Sequence, residues 1–163
     1  GSFDPPHKGH VKISEVALEK LKLDYVVWIV TKRNPFKKKP DLDILTRVKL
    51  SKKILKNLRK KIKVEYLDYI VKSSLAYDTL NYLKKFKKQN KFFFLIGADN
   101  LVHLHKWHKW KKIPKIAKII IFDRPYYSRK ALNSLAFRKI KNQDRSFVNF
   151  KKINISSSKL KKI

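Results

Sequence analysis

The sequence predicts an α/β fold, a doubly wound and mostly parallel sheet. Three observations carry this. Short runs rich in Val, Ile, Phe and Tyr alternate with longer stretches whose apolar residues recur about every 3.6 positions. No Asn-Gly or Asp-Gly turn joins two such runs, so hairpins are not indicated. The opening Gly1-Ser2-Phe3-Asp4-Pro5-Pro6-His7-Lys8-Gly9-His10 reads as a turn delivered to a helix start, which in a βα unit follows a strand. That strand is expected upstream of Gly1, central to the sheet and missing from this chain. At 163 residues the chain is expected to form one domain over 1–163 with a real core.

Each element has its own reason. Asp4-Pro5-Pro6 cannot be helical, because two prolines fix φ and remove two N–H donors. Val11, Ile13, Val16, Ala17 and Leu21 predict a helix over Val11–Leu23. Tyr25–Val30 is continuously apolar and β-branched or aromatic, as in a buried parallel strand. Thr31–Pro40 is a loop, and Asp41 or Asp43 caps a helix running to about Leu58. Ile62–Tyr66 is a strand of alternating character, followed by a loop over Asp68–Leu75. Tyr77–Lys88 is helical, with Leu80, Leu83 and Phe86 inward; Phe92–Ile96 is a buried strand. Leu101–Lys112 reads as a helix, Lys118–Phe122 as a strand and Ser128–Ile140 as a basic helix. Phe147–Ile153 reads as a last short strand, and Ser156-Ser157-Ser158 as the cap of a terminal helical turn.

His7, Gly9 and His10 therefore occupy the mouth of a helix. Free backbone N–H groups and the positive dipole end attract anions there, phosphate above all. Gly9 allows close approach to the backbone. Three more segments lie beyond strand ends or at helix starts: Asn34–Lys37, Gly97–Trp107 and Ser156–Ser158. In open α/β sheets such segments line one crevice. They hold imidazoles, ammonium groups, a carboxylate, hydroxyls and an indole, which suits a nucleotide. His103 and His105 or His108 could supply nitrogens to a metal, but i, i+2 on a helix does not face one way and no carboxylate is adjacent, so no metal site is expected.

Composition narrows the classes further. There is no cysteine, which excludes disulfides, Cys-based metal sites and thiol catalysis, and fits a reducing compartment. No run of 18 apolar residues predicts a membrane span, and no signal peptide is expected. The formal charge is +30. Such a field favours anionic ligands. Yet the basic residues are 35 Lys and seven Arg, spread along the chain, with only three Gly. That pattern fits a drift towards Lys codons better than an Arg-built nucleic-acid surface.

The opening string resembles the nucleotidylyltransferase signature G-x-F-D-P-x-H-x-G-H. Phe94-Leu95-Ile96-Gly97-Ala98-Asp99 with His105-Lys106-Trp107-His108 resembles the corresponding segment of bacterial nicotinate-nucleotide adenylyltransferases. Trp28–Thr31 with Asn34–Lys37, Ser74–Leu80 and Ile155–Lys161 are similar to that family's second-strand loop, S-Y-T-x-D-T-L stretch and I-S-S-T-x-I-R ending. The matches run in order over nearly the whole chain. The resemblance implies a Rossmann-like nucleotidylyltransferase fold and a cytoplasmic enzyme of NAD biosynthesis. The enzyme would transfer the adenylyl group of ATP to nicotinate mononucleotide by direct in-line attack, with Mg²⁺ carried in by ATP. It implies that His7, His10 and Lys161 act on the ATP phosphates, with Ser2, Phe3, Gly9, Gly97, Asp99, Ser156 and Ser157 in the ATP site. Asp99 would accept from the adenosine ribose and Trp107 would stack on the pyridine ring. Asn34, Lys37, Ala76 and Arg124 would complete the mononucleotide side. Arg47 and Arg124 match positions that the family keeps basic, and either could equally be a structural ion-pair partner.

The chain departs from the pattern at Ser158, where Thr is usual, and at Lys161, where Arg would offer a bidentate fork. Leu75 and Ala76 stand in place of Tyr and Thr, which touches selectivity at the nicotinate end. A pantetheine-phosphate adenylyltransferase is the alternative enzyme, disfavoured by Gly97-Ala98-Asp99 and Trp107. A basic nucleic-acid-binding protein on the same fold is the alternative of another class. No membrane and no specific nucleic acid are expected as partners, and the sequence sets no oligomeric state.

Overall fold

A computed structural model of the chain describes residues 1–149. They form two compact units, Gly1–Ser74 and the described residues from Leu75 onward.

The first unit contains α1 (Lys8–Lys20), β1 (Val26–Ile29), α2 (Ile44–Leu55), β2 (Ile62–Glu65) and a single helical turn, α3 (Asp68–Val71). β1 and β2 pair in parallel, Val26 opposite Ile62 and Trp28 opposite Val64. All four of these residues are buried, and with Val16, Ala17, Val30 and Leu55 they make the core of the unit. Lys63 and Glu65 alternate outward, as a half-buried strand requires. Gly1 lies beside the end of β1: its nitrogen donates to the Ile29 carbonyl at 2.6 Å, and its carbonyl accepts from the Thr31 N–H at 2.9 Å.

α1 begins at Lys8, three residues before the expected Val11, because its cap is built from imidazoles. α2 is capped by Asp43, whose carboxylate accepts from the Thr46 N–H at 3.0 Å. It ends at Leu55 and tightens into a 3₁₀ turn over Lys56–Lys60. The turn α3 stands where a plain loop was expected. The Asp68 carboxylate anchors it by accepting from the Lys32 N–H at 2.7 Å and from the Ser74 hydroxyl at 2.5 Å.

The second unit contains α4 (Ala76–Phe86), β3 (Phe92–Gly97), α5 (Ala98–His103), α6 (Ile113–Ile116), β4 (Ala117–Phe122), α7 (Ser128–Leu132), α8 (Leu135–Lys139) and β5 (Arg145–Val148). Its sheet has the order β3-β4-β5, with both pairs parallel. β4 lies in the middle and is buried at Ala117 and from Ile119 to Phe122. That explains its unbroken apolar run. Leu80, Leu101, Leu104, Ile113, Ala131 and Ala136 pack with it.

Three helical expectations are corrected. Leu101–Lys112 is not one helix: α5 stops at His103, the chain is extended at Trp107, and Lys109 takes a positive φ of 49°. Tertiary packing overrides the periodic pattern here, with Leu104 and Ile113 buried and both Trp107 and Trp110 set against the core. Ser128–Ile140 is two helices, because the Ser134 hydroxyl accepts from the Phe137 N–H at 3.2 Å and starts a new one. Phe86, expected inward, is 69% exposed and rests on the Tyr82 ring in the last turn of α4. β5 begins at Arg145 rather than Phe147. Among the described residues no helix is long and apolar enough to cross a membrane.

Candidate active site

In the first unit the opening string folds around α1. The His7 Nδ1 accepts from the Gly9 N–H at 3.1 Å, and the His10 Nδ1 accepts from the His7 N–H at 3.1 Å. This is a reciprocal cap of the Ser/Glu kind made with two imidazoles. A ring nitrogen that accepts carries no proton, so the hydrogen bonds assign the neutral tautomer with its proton on Nε2 to both rings. The rings lie 3.8 Å apart between centroids. The capping thus turns two imidazoles into two adjacent N–H donors at a helix start.

His10 is held from below. Phe3 lies 4.7 Å from its ring and stacks on Trp28 at 4.9 Å; Trp28 meets His10 edge-on at 5.9 Å. The Trp28 Nε1–H donates to the Ser14 hydroxyl at 2.8 Å, which donates to the His10 carbonyl at 2.9 Å. Phe3 has a φ of 47°. That conformation is unfavourable for a bulky side chain and persists only where the surroundings fix it.

Asp4 and Arg47 tie this string to the loop after β1. The buried Asp4 carboxylate accepts from the N–H groups of Asp41 and Leu42 at 2.9 and 3.0 Å. Arg47 is 2% exposed and, among the described residues, donates to main-chain carbonyls: Ser2 at 2.7 Å, Thr31 at 2.8 Å, Leu42 at 3.0 Å and Lys32 at 3.2 Å. Burial pushes its guanidinium below the ordinary value, opposed by the charges of Asp4, Asp43 and Asp68. Of the two roles left open for Arg47, its bonds are structural ones, made to carbonyls instead of a carboxylate. Ser2 contributes its carbonyl to that staple. Asn34 accepts from the Phe36 N–H at 2.9 Å and shapes a turn that leaves Lys37 exposed.

In the second unit, Gly97, Asp99 and Arg124 meet beside the carboxyl ends of β3 and β4. The Arg124 Nη1 donates to the Asp99 Oδ2 at 2.5 Å. The Asp99 Oδ1 is buried and has no hydrogen-bond partner among the described residues. Asp123, next to Arg124, accepts from the Ser128 hydroxyl. Trp107 is half-buried and meets Phe94 edge-on at 6.3 Å. Ala76 opens α4 and packs on the core. Ser156, Ser157 and Lys161 lie outside the described residues.

The structure thus gathers Ser2, Phe3, His7, Gly9 and His10 in one group, and Gly97, Asp99 and Arg124 in another. Sequence reading missed Asp4, Ser14 and Trp28 as the supports of the first group, and left the role of Arg47 open. Two signals existed: an indole in an otherwise aliphatic strand, and a serine inside a helix.

Parallel strands linked through helices, with an imidazole pair at a helix start, define a Rossmann-like nucleotidyltransferase. The family model described as cytidylyltransferase-like matches residues 1–163. A protein of Pelagibacter ubique (strain HTCC1062), named "Probable nicotinate-nucleotide adenylyltransferase", is 46% identical over 163 residues, which is 100% of this chain and 89% of that one. A protein of the same name from Bradyrhizobium sp. (strain ORS 278) is 38% identical over 139 residues, covering 85% of this chain and 71% of that one. The nicotinic acid mononucleotide adenylyltransferase of Plasmodium falciparum, solved in complex with NaAD, shares the fold with a TM-score of 0.77. It is 20% identical, and the match covers 99% of this chain and 80% of that one. The chain belongs to the cytidylyltransferase-like family and, within it, to the nicotinate-nucleotide adenylyltransferases.

Proposed function

We propose that this chain transfers the adenylyl group of ATP to nicotinate mononucleotide, giving nicotinate adenine dinucleotide and pyrophosphate in NAD biosynthesis. The observation that supports it best is the cap of α1, which turns the Nε2–H groups of His7 and His10 into paired donors. A phosphate oxygen of the mononucleotide forms a bond to the α-phosphorus of ATP. The bond from that phosphorus to the bridging oxygen breaks, and pyrophosphate leaves with the electron pair. No protein nucleophile is needed. Positioning and neutralisation of charge on the phosphate oxygens supply the rate.

His7 and His10 donate to triphosphate oxygens. Lys161, Ser156 and Ser157 join them in the roles that the sequence resemblance implies. Asp99 receives the adenosine ribose and Trp107 the pyridine ring, while Asn34 and Lys37 lie on the side of the mononucleotide phosphate. Among the described residues no three His, Asp or Glu side chains gather to hold a metal ion, and both imidazole Nδ1 atoms are committed to the backbone. This donor set fits a divalent ion bound mainly by nucleotide oxygens. Mg²⁺ brought by ATP would supply further neutralisation of phosphate charge. We place the enzyme in the cytoplasm, where its nucleotide substrates are drawn from.

The test is pyrophosphate release from ATP and Mg²⁺ with nicotinate mononucleotide, nicotinamide mononucleotide or phosphopantetheine as acceptor. Release with nicotinate mononucleotide, well above the other two, is expected. Release with phosphopantetheine alone would overturn the reading.

A further inference from the structure

We infer that Gly97 and Arg124 are positioning residues for the Asp99 carboxylate, and that this held carboxylate selects a ribose over a deoxyribose in the nucleotide donor. The inference rests on the reading of Asp99 as the acceptor of ribose hydroxyls.

The two carboxylate oxygens have different surroundings. Oδ2 takes a charge-assisted bond from Arg124 at 2.5 Å. Oδ1 is buried without any donor among the described residues. An ionised carboxylate oxygen in that state lacks a hydrogen bond that water would supply, and leaving it so is costly. A sugar hydroxyl is a donor of the required kind, and a small turn of the carboxylate about its Cβ–Cγ bond presents Oδ1 to it. Arg124 limits that turn.

Gly97 makes room for this arrangement. A Cβ built on Gly97 would stand 2.4 Å from the Asp99 Oδ1, far inside contact distance, and 3.8 Å from the Arg124 side chain. The backbone at Gly97 is ordinary, with φ −78° and ψ 155°. Alanine is therefore conformationally allowed there, and its only collision is with the carboxylate. The missing side chain accommodates Asp99. Arg124, which the sequence resemblance puts on the mononucleotide side, is bonded through its Nη1 to Asp99.

The experiment measures kcat and KM for ATP, 2′-deoxy-ATP and 3′-deoxy-ATP with nicotinate mononucleotide as acceptor. The full chain is compared with Gly97→Ala, Arg124→Gln, Arg124→Lys and Asp99→Asn. The wild type is expected to prefer ATP over at least one deoxy analogue by about tenfold or more in kcat/KM, the size of one hydrogen bond to a charged group. Gly97→Ala and Arg124→Gln are expected to bring that ratio towards one by raising KM for ATP, and Arg124→Lys to restore part of it. Adding Arg124→Gln to Asp99→Asn is expected to change nothing further. An unchanged ratio in both Gly97→Ala and Arg124→Gln overturns the proposal, as does an Arg124→Gln effect on KM for the mononucleotide that adds to Asp99→Asn. A wild type that turns over but does not distinguish ATP from either analogue overturns the ribose role of Asp99. Absence of turnover with nicotinate mononucleotide counts against the proposed reaction alone, and calorimetric binding of the three nucleotides to the same variants then decides the positioning roles.

Discussion

The Trp28 indole N–H donates to the Ser14 hydroxyl at 2.8 Å, and both groups are buried beneath His10. Ser14 in turn bonds the carbonyl of His10, four residues earlier in α1. Ser14→Ala strands the indole N–H in a buried site, which costs about 1–3 kcal/mol. Urea unfolding is expected to show that loss. Trp28→Phe in the Ser14→Ala background is expected to recover part of it, since the stranded donor is then gone.

Arg47 is the second support, and charge alone does not explain it. Its fork reaches four carbonyls, two of them with one Nη1. Lysine has the charge but neither the reach nor the planar geometry. Arg47→Lys is expected to lower stability by about 2–4 kcal/mol, from bonds to a charged group lost and carbonyls left unpaired. Denaturant unfolding checks this, and a variant as stable as the wild type would refute the stapling role.

Asp43 gives a pH dependence with a definite sign. The Thr46 hydroxyl bonded to its carboxylate, helped by the Thr46 N–H, holds its pKa below the ordinary carboxylate value. Its stabilisation of α2 is therefore complete above the unfolded-state value and is lost as pH falls through the lowered folded-state value. Thermal midpoints of wild type and Asp43→Ala are expected to differ at neutral pH and to converge in acid. A gap that widens as the pH falls would contradict the capping role.

Chelation separates substrate metal from structural metal. With EDTA in excess, adenylyl transfer is expected to cease while the thermal midpoint of the nucleotide-free protein stays where it was, because among the described residues no three His, Asp or Glu side chains are grouped so that they could hold an ion. A large drop in that midpoint would point to a metal built into the fold.

Much of this was legible in the residues, for reasons that can be named. Asp4-Pro5-Pro6 forbids helix and Ile119-Ile120-Ile121 demands a buried strand, so the turn and the central strand of the second unit could be read directly. The start of α1 could not, because N-cap preferences are those of Ser, Thr, Asp and Asn, and here an imidazole does the same work. The break at Trp107 and the left-handed Lys109 were hidden for another reason: His105-Lys106-Trp107-His108 keeps a helical pattern that only tertiary packing overrides. In the candidate site, His7, Gly9, His10 and Asp99 stand out by type and spacing. Asp4, Trp28 and Arg47 act through partners distant in sequence, so an indole in an aliphatic strand and a serine inside α1 were the only local hints of these supports.

The most direct test of the phosphate-donor role uses His10→Asn. The Asn Oδ1 occupies the place of the imidazole Nδ1 and can accept the His7 N–H, so the cap of α1 is kept while the Nε2 donor is removed. With ATP, Mg²⁺ and nicotinate mononucleotide saturating, kcat is expected to fall about 10²–10³-fold, the usual loss for one preorganised donor to developing charge, with the thermal midpoint nearly unchanged. A variant that folds as before and turns over at the wild-type rate would contradict the role assigned to the imidazole pair.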